Sequence, residues 1–195
     1  MMRISALMQR VLRDLTIGHY LEDAQLAPKL QSLADSRLVE LDGCYFLAAQ
    51  LSESFDTSRA SEMYWDRTDL EASVSHVHIE DFVRSDYGAN PVVVIGQGLL
   101  YAHALQQRLR LAGQFLIILS FENPGLTDDT DYVSCSVRFH GIRHDEDNWL
   151  GDIIDTKLNA ILVMDTRETD LWDAIHALSS EATNDGPAAH CANEA

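Results

Sequence analysis

Between Pro91 and Ser120 the chain carries no carboxylate, although 31 of its 195 residues are Asp or Glu. A segment stripped of acid in so acidic a chain is one the fold must bury, because an unpaired carboxylate is costly to take out of water. Its first part, Val92-Val93-Val94-Ile95, has the β-branched composition of a short buried strand. Gly96-Gln97-Gly98 then reads as a turn. Residues 99–112 place Tyr101, Ala102, Leu105, Leu109 and Ala112 on one helical face, with Gly113 where a C-cap glycine belongs. Phe115 to Phe121 is a second apolar run. The segment predicts a β-α-β unit with a right-handed crossover.

Strand and helix patterns flank this block. Ile4, Leu7, Met8, Val11, Leu12 and Leu15 repeat at three and four and predict an amphipathic helix over 3–15. A second helix is expected over about 22–35, with Pro28 as a break or restart. Leu38–Leu41 and Cys44–Leu47 around Asp42-Gly43 form a hairpin signal. Residues 50–70 are polar and read as a connection, pinned to the body by Met63, Tyr64 and Trp65. Residues 69–84 alternate like a strand, but the spacing of Leu70, Val74, Val77 and Phe82 favours a helix. Tyr132 to Phe139 alternates as a strand antiparallel to 115–121, Ala160 to Met164 is a further buried strand, and 168–179 is a final helix with Leu171, Trp172, Ile175 and Leu178 inward.

These elements predict an α/β or α+β fold: a mixed central sheet of about four or five strands flanked by helices, preceded by a small helix–helix–hairpin module. The expected division is an N-terminal module over 1–50, a connection over 51–68, the main domain over 69–180 and a tail over 181–195. The order of helix 22–35 and hairpin resembles the tail of a winged-helix unit, with the helix in the recognition slot and the hairpin as wing. That helix offers Lys29 beside Glu22, Asp23 and Asp35, whereas DNA readers present cations to phosphates. The module is therefore read as a packing or protein-docking element.

The net charge of −17 opposes direct binding to nucleic acid or anionic membranes and favours a basic protein partner. The acid is uneven: residues 61–90 carry 7 carboxylates against 2 cations, and residues 121–195 carry 16 against 4. Two loops concentrate it, one with Asp128, Asp129 and Asp131, the other with Asp145, Glu146 and Asp147 beside Trp149. An aromatic anchor in an acidic rim is the composition of an interface hot spot, and these residues are the expected partner-binding set.

Other motifs compete with that reading. Gly96, Gln97 and Gly98 sit where a dinucleotide fold turns from strand to helix, but the third glycine position holds Tyr101. His76, His78, Glu80 and Asp81 offer metal-ligand chemistry within six residues. Arg138, His140, Arg143 and His144 combine the groups of acid–base chemistry on a phosphodiester, set among the acids Asp145, Glu146 and Asp147.

No nucleophile elbow, Walker lysine loop or H-E-x-x-H helix is present. Cys44, Cys135 and Cys191 are odd in number and widely spaced, so neither a disulfide framework nor a zinc site is implied. No cofactor is expected. Arg10, Arg13 and Asp14 interrupt the apolar N-terminus before a signal core forms, and no apolar run approaches the roughly 18 residues of a membrane span, so the expected compartment is the cytoplasm. The resulting expectation is a non-enzymatic acidic protein that neutralises a basic partner, in the manner of immunity proteins or antitoxins that cap a nuclease toxin. The alternatives are a small-molecule or metal-dependent enzyme and a transcription-linked docking protein.

Overall fold

The computed structural model describes residues 2–15, 17–83, 90–122, 133–143, 159–168 and 170–175. Its longest element is not the predicted strand–turn–helix but one helix, Pro91–Leu109, here α6 in chain order. Asn90 starts it: its Oδ1 accepts from the amides of Val92 at 3.0 Å and Val93 at 3.4 Å, and Pro91 occupies the first helical turn, where its missing N–H costs nothing. The strand expected at 92–95 is thus corrected to helix. Val and Ile lose only about 0.5 kcal/mol each in a helix relative to Ala, whereas a fully buried Val or Ile gains about 1.5–3 kcal/mol. Val94 and Ile95 are both fully buried.

The two glycines of this helix serve close packing. A Cβ on Gly96 would enter the ring of Tyr20, and one on Gly98 would lie 2.5 Å from Sγ of Cys135. Gln97, between them, is 5% exposed. Its Oε1 accepts from the Ala27 amide at 2.7 Å, and its Nε2 donates to Tyr20 Oη at 3.0 Å and the Gln25 carbonyl at 2.9 Å. It thereby satisfies the link between α2 (Ile17–Asp23) and α3 (Pro28–Ala34). Of the helix expected over 22–35, residues 22–23 end α2 and the later part is α3, which Pro28 starts as the restart its position allowed.

Before them, β1 (Arg3–Ile4) and α1 (Ala6–Asp14) are joined by Ser5. Its hydroxyl caps α1 by accepting from Met8 N at 3.0 Å and also accepts from Ile161 N at 3.0 Å, while its amide donates to the Ile161 carbonyl. The hairpin forms as expected from β2 (Leu38–Leu41) and β3 (Cys44–Leu47), with φ of 51° at Asp42 and 76° at Gly43, the left-handed pair a two-residue turn requires. The stretch read as a connection contains α4 (Thr57–Ser61), and α5 (Arg67–Val74) follows. The helix expected over 69–84 ends at Val74, and the alternating residues after it form β4 (Val77–His78) and a 3₁₀ turn at Ile79–Asp81.

The central strands follow the sequence closely. β5 (Phe115–Glu122) pairs antiparallel with β6 (Ser134–Gly141) and with β7 (Ala160–Asp165). The five-stranded order is β1-β7-β5-β6-β4, and every pairing is antiparallel. The fold is α+β; with 92–95 helical, the parallel β-α-β unit and the mixed sheet it required are absent among the described residues. Ile117, Leu119, Val137, Phe139, Leu162 and Met164 join the main core with α6, while Leu116, Ile118, Ile161 and Val163 form a second cluster with Ile142. β5 is therefore apolar at successive positions, as a strand buried on both faces must be. Residues 171–175 are helical, with Leu171 and Ile175 buried. Among the described residues, no helix is long and apolar enough to cross a membrane.

Gly98→Ala should lower stability despite alanine's better helix propensity of about 1 kcal/mol, because overpacking of this kind costs about 1–3 kcal/mol. Denaturant unfolding should show the loss, and Cys135→Ala in the same chain should recover part of it by removing the obstructing sulfur.

Candidate partner-binding surface

The carboxylate of Glu71, on α5, is fully buried. Such a group persists only if its oxygens are fully bonded. Oε1 accepts from Tyr45 N at 2.6 Å and Arg143 Nη2 at 2.5 Å; Oε2 accepts from Gly141 N at 2.7 Å and Arg143 Nη1 at 2.9 Å. Arg143 Nη2 also donates to the Gly43 carbonyl at 2.8 Å. One ion pair therefore fastens the hairpin, α5 and the end of β6 together. Behind it, Cys44, Phe46 and Leu70 form a small core covered by Tyr64, Phe55 and Val39.

The loop between α4 and α5 carries a clear surface feature beside this anchored hairpin. Trp65 is 96% exposed and Met63 76%. Of the three side chains expected to pin this stretch to the body, only Tyr64 does so; Met63 and Trp65 project outward. The loop bearing them is held from both ends. Asp56 caps α4 by accepting from Ser58 N at 2.9 Å, Asp66 caps α5 by accepting from Asp69 N at 2.7 Å, and Asp69 accepts from Trp65 N at 3.3 Å. Thr57 Oγ1 donates to Asp42 Oδ2, joining the start of α4 to the hairpin turn. Asp42, Thr57, Tyr64, Trp65, Asp66 and Arg67 line a groove of about 360 Å³. A second cleft at the hairpin, of about 640 Å³, is lined by Glu40, Tyr45, Arg67, Gln114 and Arg143 and shares Arg67 with the first. Burial, with Glu40 beside it, raises the Tyr45 phenol above its ordinary range.

The residues singled out in the sequence are distributed differently. Asp128, Asp129, Asp131, Asp145, Glu146, Asp147 and Trp149 lie outside the described residues, as does His144. Gly96, Gln97 and Gly98 lie within α6, whose N-terminus is at Asn90 and Pro91, so no helix start stands at these glycines. The rings of His76 and His78 lie 4.6 Å apart between centroids. Glu80 turns inward, accepting from Ser134 Oγ at 2.8 Å and Cys135 N at 3.1 Å, with His78 Nδ1 3.4 Å from its carboxylate. Among the described residues, no group of three or more His, Cys, Asp or Glu is placed to hold a metal ion.

The β4–β6 register, Val77 with Val137 and His78 with Ser136, puts His76 across from Arg138. Two separate sequence motifs thus meet on one strand pair. His140 is 4% exposed, its Nδ1 3.0 Å from the Gly141 carbonyl, and Arg143 is committed to Glu71. Sequence reasoning missed the exposure of Trp65, although Met63-Tyr64-Trp65 in a polar stretch was its signal. It also missed Glu71, which no local pattern distinguishes from a surface acid.

Glu71→Gln should destabilise the protein by about 3–5 kcal/mol, since it leaves the Arg143 charge in a nearly closed site. Arg143→Met should cost a similar amount, and urea unfolding of the double variant should show less than the sum of the two. Burial holds the His140 imidazole below its ordinary value, and His76 and His103 shift the same way for the same reason. The folded chain then binds fewer protons than the unfolded chain once pH falls below about 6.5, so stability should decline from there toward about pH 5. His140→Gln should make that decline shallower in pH-dependent unfolding.

Comparison with curated proteins finds no match, and comparison with solved structures finds none. A family model does match, over residues 4–182, which takes in α1, the hairpin, α6 and the whole of the sheet from β5 to β7. The chain described above belongs to the family described as Uncharacterized protein PM0498 family.

Proposed function

We propose that this chain is a non-enzymatic binding protein that captures a basic protein partner, and that the Met63–Trp65 loop with its surrounding carboxylates is its docking surface. The observation that carries the reading is the 96% exposure of Trp65. A solvated indole has a large apolar area to lose to a partner, and Trp is the residue type most enriched among interface hot spots. Its groove is shared with Asp42 and Asp66, and Asp69 bonds the Trp65 amide. The chain's charge of −17 adds a long-range field that steers a cationic partner toward this surface and disfavours nucleic acid.

A basic effector such as a nuclease toxin is the partner class this chemistry suits. Its phosphate-binding face carries the cations that a carboxylate-rimmed aromatic patch complements, so the chain would occupy the face that nucleic acid otherwise fills. The acidic sequences at 128–131 and 145–149 belong to the same proposal as further contacts with the basic partner.

The test is affinity capture at low salt, identification of the recovered protein, and calorimetry on the purified pair. A one-to-one complex with a basic protein is expected. Its association rate should fall steeply with salt, and Trp65→Ala should weaken binding by about 2 kcal/mol or more, a factor of about 30 in Kd. Asp42→Asn with Asp66→Asn should slow association more than it speeds dissociation. Recovery of no basic protein, or a Trp65→Ala variant that binds as tightly as the parent, would overturn the reading.

A further inference from the structure

A separate groove of about 490 Å³ runs between α3, the 3₁₀ turn at Ala48–Gln50 and β4. Its size lies in the range of small-molecule sites, which pair an apolar lining with a few placed polar groups. The apolar part comes from Leu33 on α3, Val74 at the end of α5, Val77 on β4 and Phe82. Lys29 lines it from α3 and Asp81 from the 3₁₀ turn after β4, so opposite charges come from different elements. Among the described residues, neither Lys29 nor Asp81 belongs to an ion pair.

Gln50 supplies the third observation. Its Oε1 is buried and has no hydrogen-bond partner among the described residues, and Gln50 lines this groove. A buried carbonyl oxygen left without a donor is uncommon and calls for one. His76 and His78 complete the polar lining with ring nitrogens able to meet an acid or a hydroxyl.

A cation, an anion, an orphaned acceptor and an apolar lining together describe a ligand with one acid, one amine and one apolar body. We propose that this groove binds a free α-amino acid with an apolar side chain. The ligand carboxylate faces Lys29 and the histidines, its ammonium donates to Asp81, the Gln50 side chain turns its Oε1 out of the groove wall to accept from that ammonium, and the ligand side chain covers Leu33, Val77 and Phe82. Lone organic anions leave Asp81 and Gln50 unanswered, and simple amines leave Lys29 unanswered. The site shares no lining residue with the Trp65 groove and stands independently of the partner-binding reading.

Calorimetric titration of the full chain with L-phenylalanine and L-leucine tests it, against 3-phenylpropanoate, which lacks the ammonium, and phenethylamine, which lacks the carboxylate. The amino acids should bind, and each truncated analogue should bind at least about tenfold more weakly, the equivalent of about 1.4 kcal/mol. Lys29 and Asp81 are exposed, so Lys29→Ala and Asp81→Asn should keep the parent circular dichroism while weakening L-phenylalanine by about tenfold each. Trp65→Ala should leave this binding unchanged. No heat with either amino acid, equal binding of a truncated analogue, or unaltered affinity in both groove variants would each overturn the proposal.

Discussion

The hairpin keeps its position because a carboxylate with no solvent exposure is bonded on every side. Glu71, on α5, and Arg143 are 72 residues apart in sequence, and the backbone groups they bind belong to the hairpin and to β6. Replacing such a pair by apolar side chains can match its stability, so its stabilising energy alone does not explain it. What an apolar pair lacks is direction. Two carboxylate oxygens reading the Tyr45 and Gly141 amides, and one guanidinium reading the Gly43 carbonyl, admit a single placement of the hairpin on the sheet. Everything that stands on the hairpin, including α4 and the Trp65 loop joined to it through Asp42 and Thr57, inherits that placement.

α6 imposes a second constraint on the core that it shares with the hairpin residues Leu38, Tyr45 and Leu47. Helix-interior glycines cost about 1 kcal/mol each, and this helix has two within one turn. They let the helix approach the Tyr20 ring on one side and Cys135 on the sheet on the other. Gln97 then reaches the α2–α3 link with three hydrogen bonds from a site only 5% exposed. The Gly-Gln-Gly sequence is thus a packing device, with small residues where backbones must approach and a polar one where a link needs bonding. Its likeness to a phosphate turn was compositional: both uses need glycine for close approach, and only the neighbouring elements decide which approach is made.

That distinction explains what the sequence could disclose. Asp42-Gly43 specified its turn because the left-handed conformations are required locally, and β5 and β6 were visible because burial patterns are read from the strands themselves. Val92 to Ile95 misled because β-branched composition outweighed Asn90-Pro91, the signal of a helix start that capping and a fixed φ later made decisive. Val77 and His78 were drawn into a helix by their spacing from Leu70 and Val74, although pairing with β6 sets their conformation. Glu71 was illegible because an acid is ordinarily outside, and only its bonds to Tyr45 and Gly141, distant in sequence, reverse that. Trp65 was misjudged because an indole is ordinarily inside, although the polar stretch around it pointed outward and its backbone is held locally by Asp69.

The carboxylates around Trp65 show how an acidic surface can be rigid as well as charged. Asp56 and Asp66 cap helices, Asp69 holds the Trp65 amide and Asp42 accepts from Thr57, so each is fixed by a donor. Hydrogen bonding of this kind leaves the negative charge in place, since an amide or hydroxyl donor is neutral. The same groups can therefore hold the loop and project a field from set positions. A partner docking there would order few side chains, because the acids are already placed and the indole has only two side-chain torsions to fix. Lower ordering cost leaves more of the contact energy as affinity. If the Trp65 surface is where a basic partner docks, its strength rests on this prior immobilisation as much as on charge, and the helix caps belong to the binding surface.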